Sequence, residues 1–346
     1  MSPPISIADL DHILAHTREM WEEMRGKRIF VTGGTGFVGV WLIESFLHAN
    51  ESLGLNAEMV VLSRAPDRFL ERVRHLEGQR GLRFIAGDVR DFSPSGGCFP
   101  FIIHAAANVG GRDGKVTAGE VFDTISDGTR HLLGALDQRP PEKLLLVSSG
   151  AVYGRLPAGL THVPESYSGA PDPLSPASAY GLGKLVAEHL CAVHAASNRY
   201  QLKIARCFTF IGPHLPLDGV YAIGNFLRDG MRGGPFRPVG DGTAIRSYLY
   251  AADLAIWLWT LLFRGASGSA YNVGSPTSIS IRSLSREVAT HFNVPALEPA
   301  VLSSGGPPSV YVPDVGRAGA ELGLVERIPL ASAISRTTSW LLATHS

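Results

Sequence analysis

The sequence predicts an α/β protein built on a doubly wound parallel sheet of the Rossmann type, with a smaller C-terminal α/β lobe for a substrate. Three observations predict this fold. Short apolar runs alternate with helical segments through the first 206 residues, a glycine-rich turn follows the first run, and glycine and proline become frequent after residue 207. Strands that alternate with helices form a parallel sheet covered on both faces.

The apolar runs give the expected strands, and the segments of helical periodicity give the expected helices. Strands are predicted at 27–32, 58–63, 82–86, 101–105 and 143–148, and a further one begins at Lys203. Helices are predicted at 37–50, 118–137 and 177–197. Residues 5–25 form one more helix, which Gly26 ends.

These elements divide the chain into three parts. Residues 1–26 are an N-terminal helical extension, residues 27–206 are the Rossmann domain, and residues 207–346 are the substrate lobe. Segments near 247–274 are expected to return to the Rossmann domain.

Composition and charge exclude several classes of protein. The 346 residues include 31 Lys and Arg and 31 Asp and Glu, so no net charge attracts nucleic acid. No apolar stretch reaches the roughly 20 residues that a bilayer requires, and no secretory signal is visible. Three distant cysteines, and His12 with His16 but no third ligand, do not make a metal site. We therefore expect a cytoplasmic protein without a nucleic-acid, membrane or metal partner.

The glycine-rich turn predicts a dinucleotide site. Gly33, Gly34, Gly36 and Gly39 lie between the first strand and the helix that follows it. Glycines permit the tight turn, the approach of a pyrophosphate to the backbone, and close packing of helix on strand. The free N–H groups at the start of the helix then bind the anion. An ordinary tight turn is the alternative.

The end of the second strand discriminates between NAD and NADP. An acidic residue there would bind the ribose 2′-hydroxyl of NAD, but the chain has Ser63 and Arg64, with Arg68 four residues further on. A guanidinium suits the 2′-phosphate of NADP. NADP(H) is therefore favoured, and NAD(H) is the alternative if Arg64 is solvated or stacks on adenine. Asp88, after the third strand, is placed to bond the adenine amino group.

A tyrosine and a lysine predict acid–base chemistry. Tyr180 and Lys184 are one helical turn apart and face the same way, and Ser148 and Ser149 lie where the predicted fifth strand ends. A tyrosine pKa near 10 is too high for catalysis at neutral pH. A nearby ammonium and the positive charge of an oxidised nicotinamide would lower the pKa by about three units. The alternative is a core tyrosine beside a chance lysine.

Together these segments resemble the extended short-chain dehydrogenase/reductase family, specifically its nucleotide-sugar epimerases, dehydratases and ketoreductases. The resemblance covers about residues 27–325. It is carried by Gly-Gly-Thr-Gly-Phe-Val-Gly (33–39), Gly-Asp-Val (87–89), His-Ala-Ala-Ala (104–107), Gly-Thr (128–129), Ser-Ser-x-x-Val-Tyr-Gly (148–154), Tyr-x-x-x-Lys (180–184), Gly-Pro (212–213), and Gly-Asp-Gly (240–242) followed by Arg246.

The resemblance assigns roles to individual residues. It implies that Ser149, four residues before Tyr153, is the catalytic serine, that Tyr180 is the acid/base and that Lys184 is its partner. The implied cofactor contacts are Gly33, Thr35, Gly36, Phe37, Val38, Ser63, Arg64, Asp88, Val89, Ala105, Ala106, Ala107, Tyr180 and Lys184. The implied substrate is a nucleoside-diphosphate sugar, and its contacts are Ser149, Thr209, Asn225 and Arg246.

Several of these assignments have alternatives. Thr209 replaces an Asn that usually touches the diphosphate. Arg246 either binds a phosphate or pairs with Asp253 or Asp241. Phe236 and Tyr248 pack beside the base or sugar, or belong to the core. The family also implies a homodimer through the helices at 118–137 and 178–197, whose apolar residues would otherwise be core.

Departures from the family pattern favour one reaction. The dehydratases carry an Asp-Glu pair, and the UDP-glucuronate decarboxylases a Glu, just before the Tyr of Val-Tyr-Gly, where this chain has Gly150 and Ala151. Loss of water or carbon dioxide requires that acid/base group. We therefore predict NADPH-dependent reduction of a nucleotide-linked 4-keto (deoxy)sugar, with hydride to C4 and a proton from Tyr180.

Three alternatives to this reaction stay open. The first is a nucleotide-sugar C4 epimerase with tightly bound NAD, which needs only hydride transfer and one proton relay. A 4,6-dehydratase and a non-catalytic NADP-binding regulator are less favoured. A regulator is disfavoured because such proteins often lose the Tyr or the Lys, and Tyr180 and Lys184 are both present. The general pattern resembles bacterial enzymes of deoxysugar biosynthesis.

Overall fold

The computed structural model describes residues 2–93, 97–107, 116–219, 221–235, 240–296 and 308–345. The strands in these residues are β1 (Arg28–Thr32), β2 (Glu58–Ser63), β3 (Leu82–Ala86), β4 (Phe101–His104), β5 (Lys143–Ser149), β6 (Gln201–Cys207), β7 (Phe210–Ile211), β8 (Ile245–Arg246), β9 (Leu249–Tyr250), β10 (Ser269–Val273), β11 (Ile279–Ser280) and β12 (Val310–Tyr311). The helices are α1 (Ile7–Thr17), α2 (Phe37–Ser52), α3 (Pro66–Arg72), α4 (Ala118–Leu136), α5 (Ala179–Asn198), α6 (Ala222–Met231), α7 (Ala251–Arg264), α8 (Ile281–Phe292), α9 (Gly316–Leu322) and α10 (Leu330–His345).

The large sheet has seven strands in the order β10-β6-β5-β4-β1-β2-β3, all of them parallel. Successive residues of a strand point to opposite faces. Ile29 and Val31 of β1 accordingly pack with α2 and α7, and Phe30 packs with the core under α4 and α5. The predicted Rossmann-type fold is confirmed.

The chain reverses its direction of travel across this sheet at β1. From β1 it runs outward to β2 and β3, then returns to β4 on the other side. Ligands of open α/β sheets bind at such a switch point, beyond the carboxyl ends of the strands. The fold therefore places a binding site above the ends of β1 and β4.

The part of the chain after residue 207 contributes to both regions. β10 pairs with β6 as the last strand of the large sheet. β8, β11 and β12 form a separate three-stranded sheet, and β7 and β9 form a two-stranded one. Among the described residues, no helix is both long enough and apolar enough to cross a membrane.

The N-terminal extension is not the single helix predicted over 5–25. α1 ends at Thr17, and a 3-10 helix continues from Arg18 to Met24. Trp21 is fully buried, with its ring 4.5 Å from that of Trp259 on α7. Tertiary packing of this indole therefore overrides continuous α-helical periodicity.

The helices predicted to form a dimer pack on each other within one chain. α4 and α5 lie side by side on the same face of the sheet. Val121, Leu132 and Leu133 of α4 are buried in the chain's own core, and Leu185 and Leu190 of α5 are half-buried. The dimer stays a prediction.

Candidate active site

A cavity of about 680 Å³ lies at the carboxyl ends of the strands, where the topology places a site. Every residue predicted to contact the cofactor lines it, and so do Ser149 and Thr209. Asn225 and Arg246, the other two predicted substrate contacts, do not line it. The structure thus brings the distant motifs of the sequence to a single cavity.

The glycine turn has the geometry that a pyrophosphate requires. Gly33 has a φ of +74°, and a Cβ atom there would lie 2.5 Å from the backbone of Ala105. A Cβ on Gly39 would lie 2.3 Å from Gly34, so these glycines let helix and strand approach closely. α2 begins at Phe37, and Gly36 before it offers no side chain to cap the first N–H groups. These N–H groups and the helix dipole fit the phosphates of a dinucleotide.

A buried histidine fixes the strand ends beside this turn. Thr129 donates its hydroxyl proton to the Ile125 carbonyl, so His104 Nε2 donates to Thr129. Nδ1 of the neutral ring then accepts from Thr32, which in turn accepts the N–H of Ala106. Burial lowers the pKa of His104 to about 3, so the ring stays neutral. This chain of bonds positions Ala105–Ala107 along the cavity.

The end of the cavity beyond β2 is rich in arginine. Arg64 lines the cavity, and its exposed guanidinium makes no hydrogen bond or ion pair with the described residues. Arg68 is exposed on α3, and Arg72 Nη2 donates to the Thr35 carbonyl. Asp88 lines the cavity but is held by Arg90 at 2.8 and 3.1 Å, and this hydrogen bonding lowers the pKa of Asp88.

The predicted catalytic residues meet at the other end of the cavity. Ser149 ends β5, and its Oγ accepts the N–H of Ala151 at 3.1 Å. Lys184, one turn after Tyr180 on α5, donates from Nζ to the Val147 carbonyl at 2.7 Å. Burial lowers the pKa of Lys184 to about 8.

The pKa of Tyr180 differs from the expectation. Burial raises it, Tyr311 adds to the rise, and the hydrogen bond with Ser149 acts in the opposite direction. The ammonium of Lys184, directed at a carbonyl, does not offset the burial of the phenol. A pKa below the usual tyrosine value would therefore require a further positive charge beside the phenol, such as that of a bound oxidised nicotinamide.

A buried ion pair lies directly behind the site. Ser148 donates to Glu188 at 2.5 Å, and Arg206 donates to both oxygens of the same carboxylate. Arg206 also donates to the Tyr153 hydroxyl at 3.1 Å. The hydroxyl of Ser148 is thereby committed to Glu188, which leaves Ser149 as the serine available to a substrate.

No acid can replace Gly150 without rearrangement. A Cβ at this position would lie 2.6 Å from the ring of Phe208, and Ala151 presents only a methyl group to the cavity. Of the described residues that line the cavity, Asp88 alone carries a carboxylate. It lies at the end that holds the glycine turn and Arg64, which we call the dinucleotide end. The end of the cavity that holds Ser149 and Tyr180, which we call the sugar end, therefore offers hydroxyl, phenol and ammonium groups but no carboxylate from the described residues.

The remaining predicted substrate contacts have partners within the protein. Thr209 Oγ1 donates to the Ser247 carbonyl. Asn225 donates to the carbonyls of Gly219 and Tyr221, so its amide fixes the start of α6.

Arg246 donates from Nη1 to the carbonyls of Ile245 and Ser309. Asp253, one of its considered partners, instead accepts the N–H groups of Arg327 and Ile328. Tyr248 is buried in the core, and Phe236 lies outside the described residues.

Sequence reasoning missed several residues that line the sugar end. They are Phe208, Phe210, Leu215, Pro216, Tyr221 and Tyr311. Tyr311 contacts the predicted catalytic serine, with 3.2 Å between Tyr311 Oη and Ser149 Oγ. No motif surrounds Tyr311, so only the folded chain shows its proximity to Ser149.

Known proteins share this architecture. UDP-glucuronic acid decarboxylase 3 of Arabidopsis thaliana is 28% identical over 315 residues, which are 89% of this chain and 86% of the relative. DesIV of Streptomyces venezuelae, a dTDP-glucose 4,6-dehydratase solved with NAD and TYD, superimposes with a TM-score of 0.77 at 23% identity, over 92% of this chain and 98% of DesIV. MoeE5, solved with UDP-glucose and NAD, has a TM-score of 0.72 at 25% identity, over 92% of this chain and all of MoeE5.

The family resemblance inferred from the motifs is confirmed by a family model. The model of the NAD dependent epimerase/dehydratase family matches residues 29–274, which include the glycine turn, Ser149, Tyr180 and Lys184. The chain belongs to the NAD dependent epimerase/dehydratase family.

Proposed function

We propose that this protein reduces a nucleotide-linked 4-keto (deoxy)sugar with NADPH. The observation that carries the proposal is the sugar end of the cavity. It holds Ser149, Tyr180 and Lys184, but none of the described residues there is a carboxylate. Such a set supports hydride transfer with one proton relay. Dehydration and decarboxylation need a further acid/base group. The proposal therefore excludes these two reactions.

The protein's own groups divide the work of this reaction. The nicotinamide supplies the hydride that adds to C4. Tyr180, kept neutral by burial, donates its proton to the C4 oxygen as the carbonyl becomes an alcohol. Ser149 orients that oxygen by a hydrogen bond, and Lys184 holds the nicotinamide ribose. One ketone, one hydride and one proton give one alcohol.

The relatives support a nucleoside-diphosphate sugar as the substrate class. MoeE5 was solved with UDP-glucose, and the Arabidopsis relative is named for a UDP-linked sugar acid. This chain lacks a lining cation at the sugar end other than Lys184, among the described residues. A neutral sugar therefore suits the cavity better than a sugar acid.

The arginines beyond β2 support NADPH as the reductant. Arg64 lines the cavity without a hydrogen bond or ion pair to the described residues, and Arg68 and Arg72 follow it on α3. A ribose 2′-phosphate would supply the missing acceptor for Arg64. We expect Arg64→Ala to raise the NADPH Kd about 10- to 100-fold, since a hydrogen bond to a charged group is worth about 1.5–3 kcal/mol, and to leave the NADH Kd unchanged.

A matched control isolates this effect. Arg80 is also an exposed arginine, but it precedes β3 and so lies at the amino ends of the strands, away from the cavity. Arg80→Ala should leave both dissociation constants unchanged in a fluorescence titration. Equal losses of NADPH and NADH binding in Arg64→Ala would contradict the assignment of the 2′-phosphate.

The reaction is tested with purified protein, NADPH, and the 4-keto-6-deoxyglucose derivatives of dTDP, UDP, CDP and GDP. Loss of NADPH absorbance, together with a C4 alcohol found by mass spectrometry, is the expected result. Release of carbon dioxide from UDP-glucuronic acid, or formation of a 4-keto product from dTDP-glucose, would overturn the proposal.

A nucleotide-sugar C4 epimerase is the second candidate. It is favoured by MoeE5, which was solved with both a nucleotide sugar and NAD. An epimerase returns the hydride it removes, so it needs no external reductant. Equilibration of C4 epimers by protein that retains NAD through purification, without added NADPH, would select this function.

We also propose that the protein is a cytoplasmic homodimer. Multi-angle light scattering on the purified chain gives the mass in solution. A monomer at assay concentration would remove the dimer from the proposal, and a fractionated native extract tests the compartment.

A further inference from the structure

We propose that Tyr311 is a positioning residue for hydride transfer, because its hydrogen bond to Ser149 commits the serine proton to the substrate oxygen. The inference rests on the proposed function only in that a C4 oxygen reacts beside Ser149 and Tyr180. It holds for reduction and for epimerisation alike.

Tyr311 reaches the site from outside the large sheet. It lies on β12, which pairs with β8 in the three-stranded sheet of the C-terminal part. Its ring packs on Phe208 with 4.7 Å between centroids. Its Oη lies 3.2 Å from Ser149 Oγ and 3.4 Å from the Cys207 carbonyl. Tyr311, from the substrate lobe, is therefore hydrogen-bonded to Ser149 at the end of a strand of the Rossmann sheet.

The hydrogen bonds of Ser149 determine where its proton points. A hydroxyl has one proton and accepts two hydrogen bonds. One acceptor position is filled by the N–H of Ala151 at 3.1 Å. Tyr311 fills the second when it donates to Ser149, its shorter contact, instead of to Cys207. The serine then acts only as a donor, toward the oxygen that Tyr180 protonates.

This polarity matters to Tyr180. A donating serine stabilises both the phenolate of Tyr180 and an alkoxide at C4. The hydrogen bond with Ser149 opposes the rise in the pKa of Tyr180 that burial causes. Without the Tyr311 hydroxyl, Ser149 can rotate and accept from Tyr180, which favours the neutral phenol. Tyr311 thus acts through Ser149 rather than on the substrate itself.

The test compares Tyr311→Phe, Ser149→Ala and the double variant in steady-state assays of the protein with its cofactor. We expect Tyr311→Phe to lower kcat about 10-fold, the effect of one lost hydrogen bond, while the KM for the nucleotide sugar changes less than about threefold. In the Ser149→Ala background, the same substitution should change kcat less than about twofold, because the two residues act as a unit.

Two further readouts separate positioning from a structural role. Tyr311 itself raises the pKa of Tyr180, so its direct effect and its effect through Ser149 have opposite signs. A shift of the pH profile of alcohol oxidation to higher pH in Tyr311→Phe is expected if the effect through Ser149 dominates, and a shift to lower pH would contradict the inference. Tyr167→Phe is the matched control. Tyr167 belongs to the same aromatic cluster but does not line the cavity, so its variant should keep the wild-type kcat and pH profile.

The outcomes distinguish this inference from the proposed function. A wild-type protein that epimerises C4 but does not reduce a ketone overturns the proposed function, and the same variants then test Tyr311 in the epimerase assay. An unchanged kcat in Tyr311→Phe, or equal losses in the wild-type and Ser149→Ala backgrounds, overturns the role of Tyr311. Absence of both reactions overturns the two proposals together.

Discussion

The two ends of the cavity are built differently. The dinucleotide end is formed largely by backbone, through the glycine turn after β1 and the Ala105–Ala107 strand end. The sugar end is formed by side chains from separate segments, with Ser149 from β5, Tyr180 from α5 and Tyr311 from β12. Recognition by backbone demands a fixed glycine spacing, whereas recognition by side chains leaves the spacing free. The first end therefore has a recognisable motif, and the second has one only for its predicted catalytic residues.

The largest effect is expected from a substitution that alters the sugar end and leaves the dinucleotide end unchanged. Tyr180→Phe removes the proton donor, so kcat should fall about 10²–10⁴-fold. The NADPH Kd should change little, because the backbone contacts of the glycine turn are untouched. Steady-state kinetics and a fluorescence titration measure the two quantities. Full activity in Tyr180→Phe would favour a non-catalytic role for this tyrosine.

The second-largest effect is expected from a substitution in the glycine turn of the dinucleotide end. In Gly33→Ala, the residue keeps a φ of +74° and its Cβ meets Ala105 at 2.5 Å. Left-handed strain costs about 1–2 kcal/mol and overpacking about 1–3 kcal/mol. We expect a free energy of unfolding lower by about 2–5 kcal/mol and weaker NADPH binding.

Gly78→Ala is the control for this substitution. Gly78 has a φ of +70°, but nothing lies within 4 Å of a Cβ built there. It should therefore show the strain without the clash, and NADPH binding should be unchanged. Equal destabilisation of the two variants in urea would mean that the contact with Ala105 is relieved by movement.

The third prediction concerns Lys184, where the two ends meet. Burial lowers the pKa of Lys184 to about 8 from 10.5, so the folded state disfavours the ammonium. The resulting penalty is fully present below pH 8, and it disappears as the pH rises from about 8 to 10.5. Lys184→Met should therefore stabilise the cofactor-free protein at pH 7, by at most about 3 kcal/mol, and less at pH 10.

Urea unfolding at both pH values measures this difference, with Lys27→Met, at a half-buried lysine paired with Glu142, as the control. The variant should also lose activity, because the ammonium that holds the ribose is gone. A Lys184→Met protein that is less stable than the wild type at pH 7 would contradict the burial penalty.

The smallest expected effect tests whether Asn225 belongs to the sugar end of the cavity. Asn225 was predicted to contact the substrate, but its amide donates to the carbonyls of Gly219 and Tyr221. Asn225→Ala should raise the KM for the nucleotide sugar less than about threefold and lower stability by about 1 kcal/mol. A KM increase above about 10-fold, without loss of stability, would restore Asn225 as a substrate contact.

The sequence alone determined the Rossmann-type fold and the residues whose chemistry depends on local spacing. Alternating apolar runs specified the parallel sheet. The intervals among Gly33, Gly36 and Gly39 and between Tyr180 and Lys184 specified how these residues lie relative to one another, because a turn and a helix fix geometry within a few residues.

Only the tertiary structure decided which distant side chains complete the sugar end. Tyr311 is 162 residues from Ser149, and Phe208 fills the space beside Gly150. The direction of the Tyr180 pKa was likewise decided by burial, because desolvation depends on everything packed around the phenol. Such contacts join segments that are far apart in the sequence, and local periodicity does not encode them.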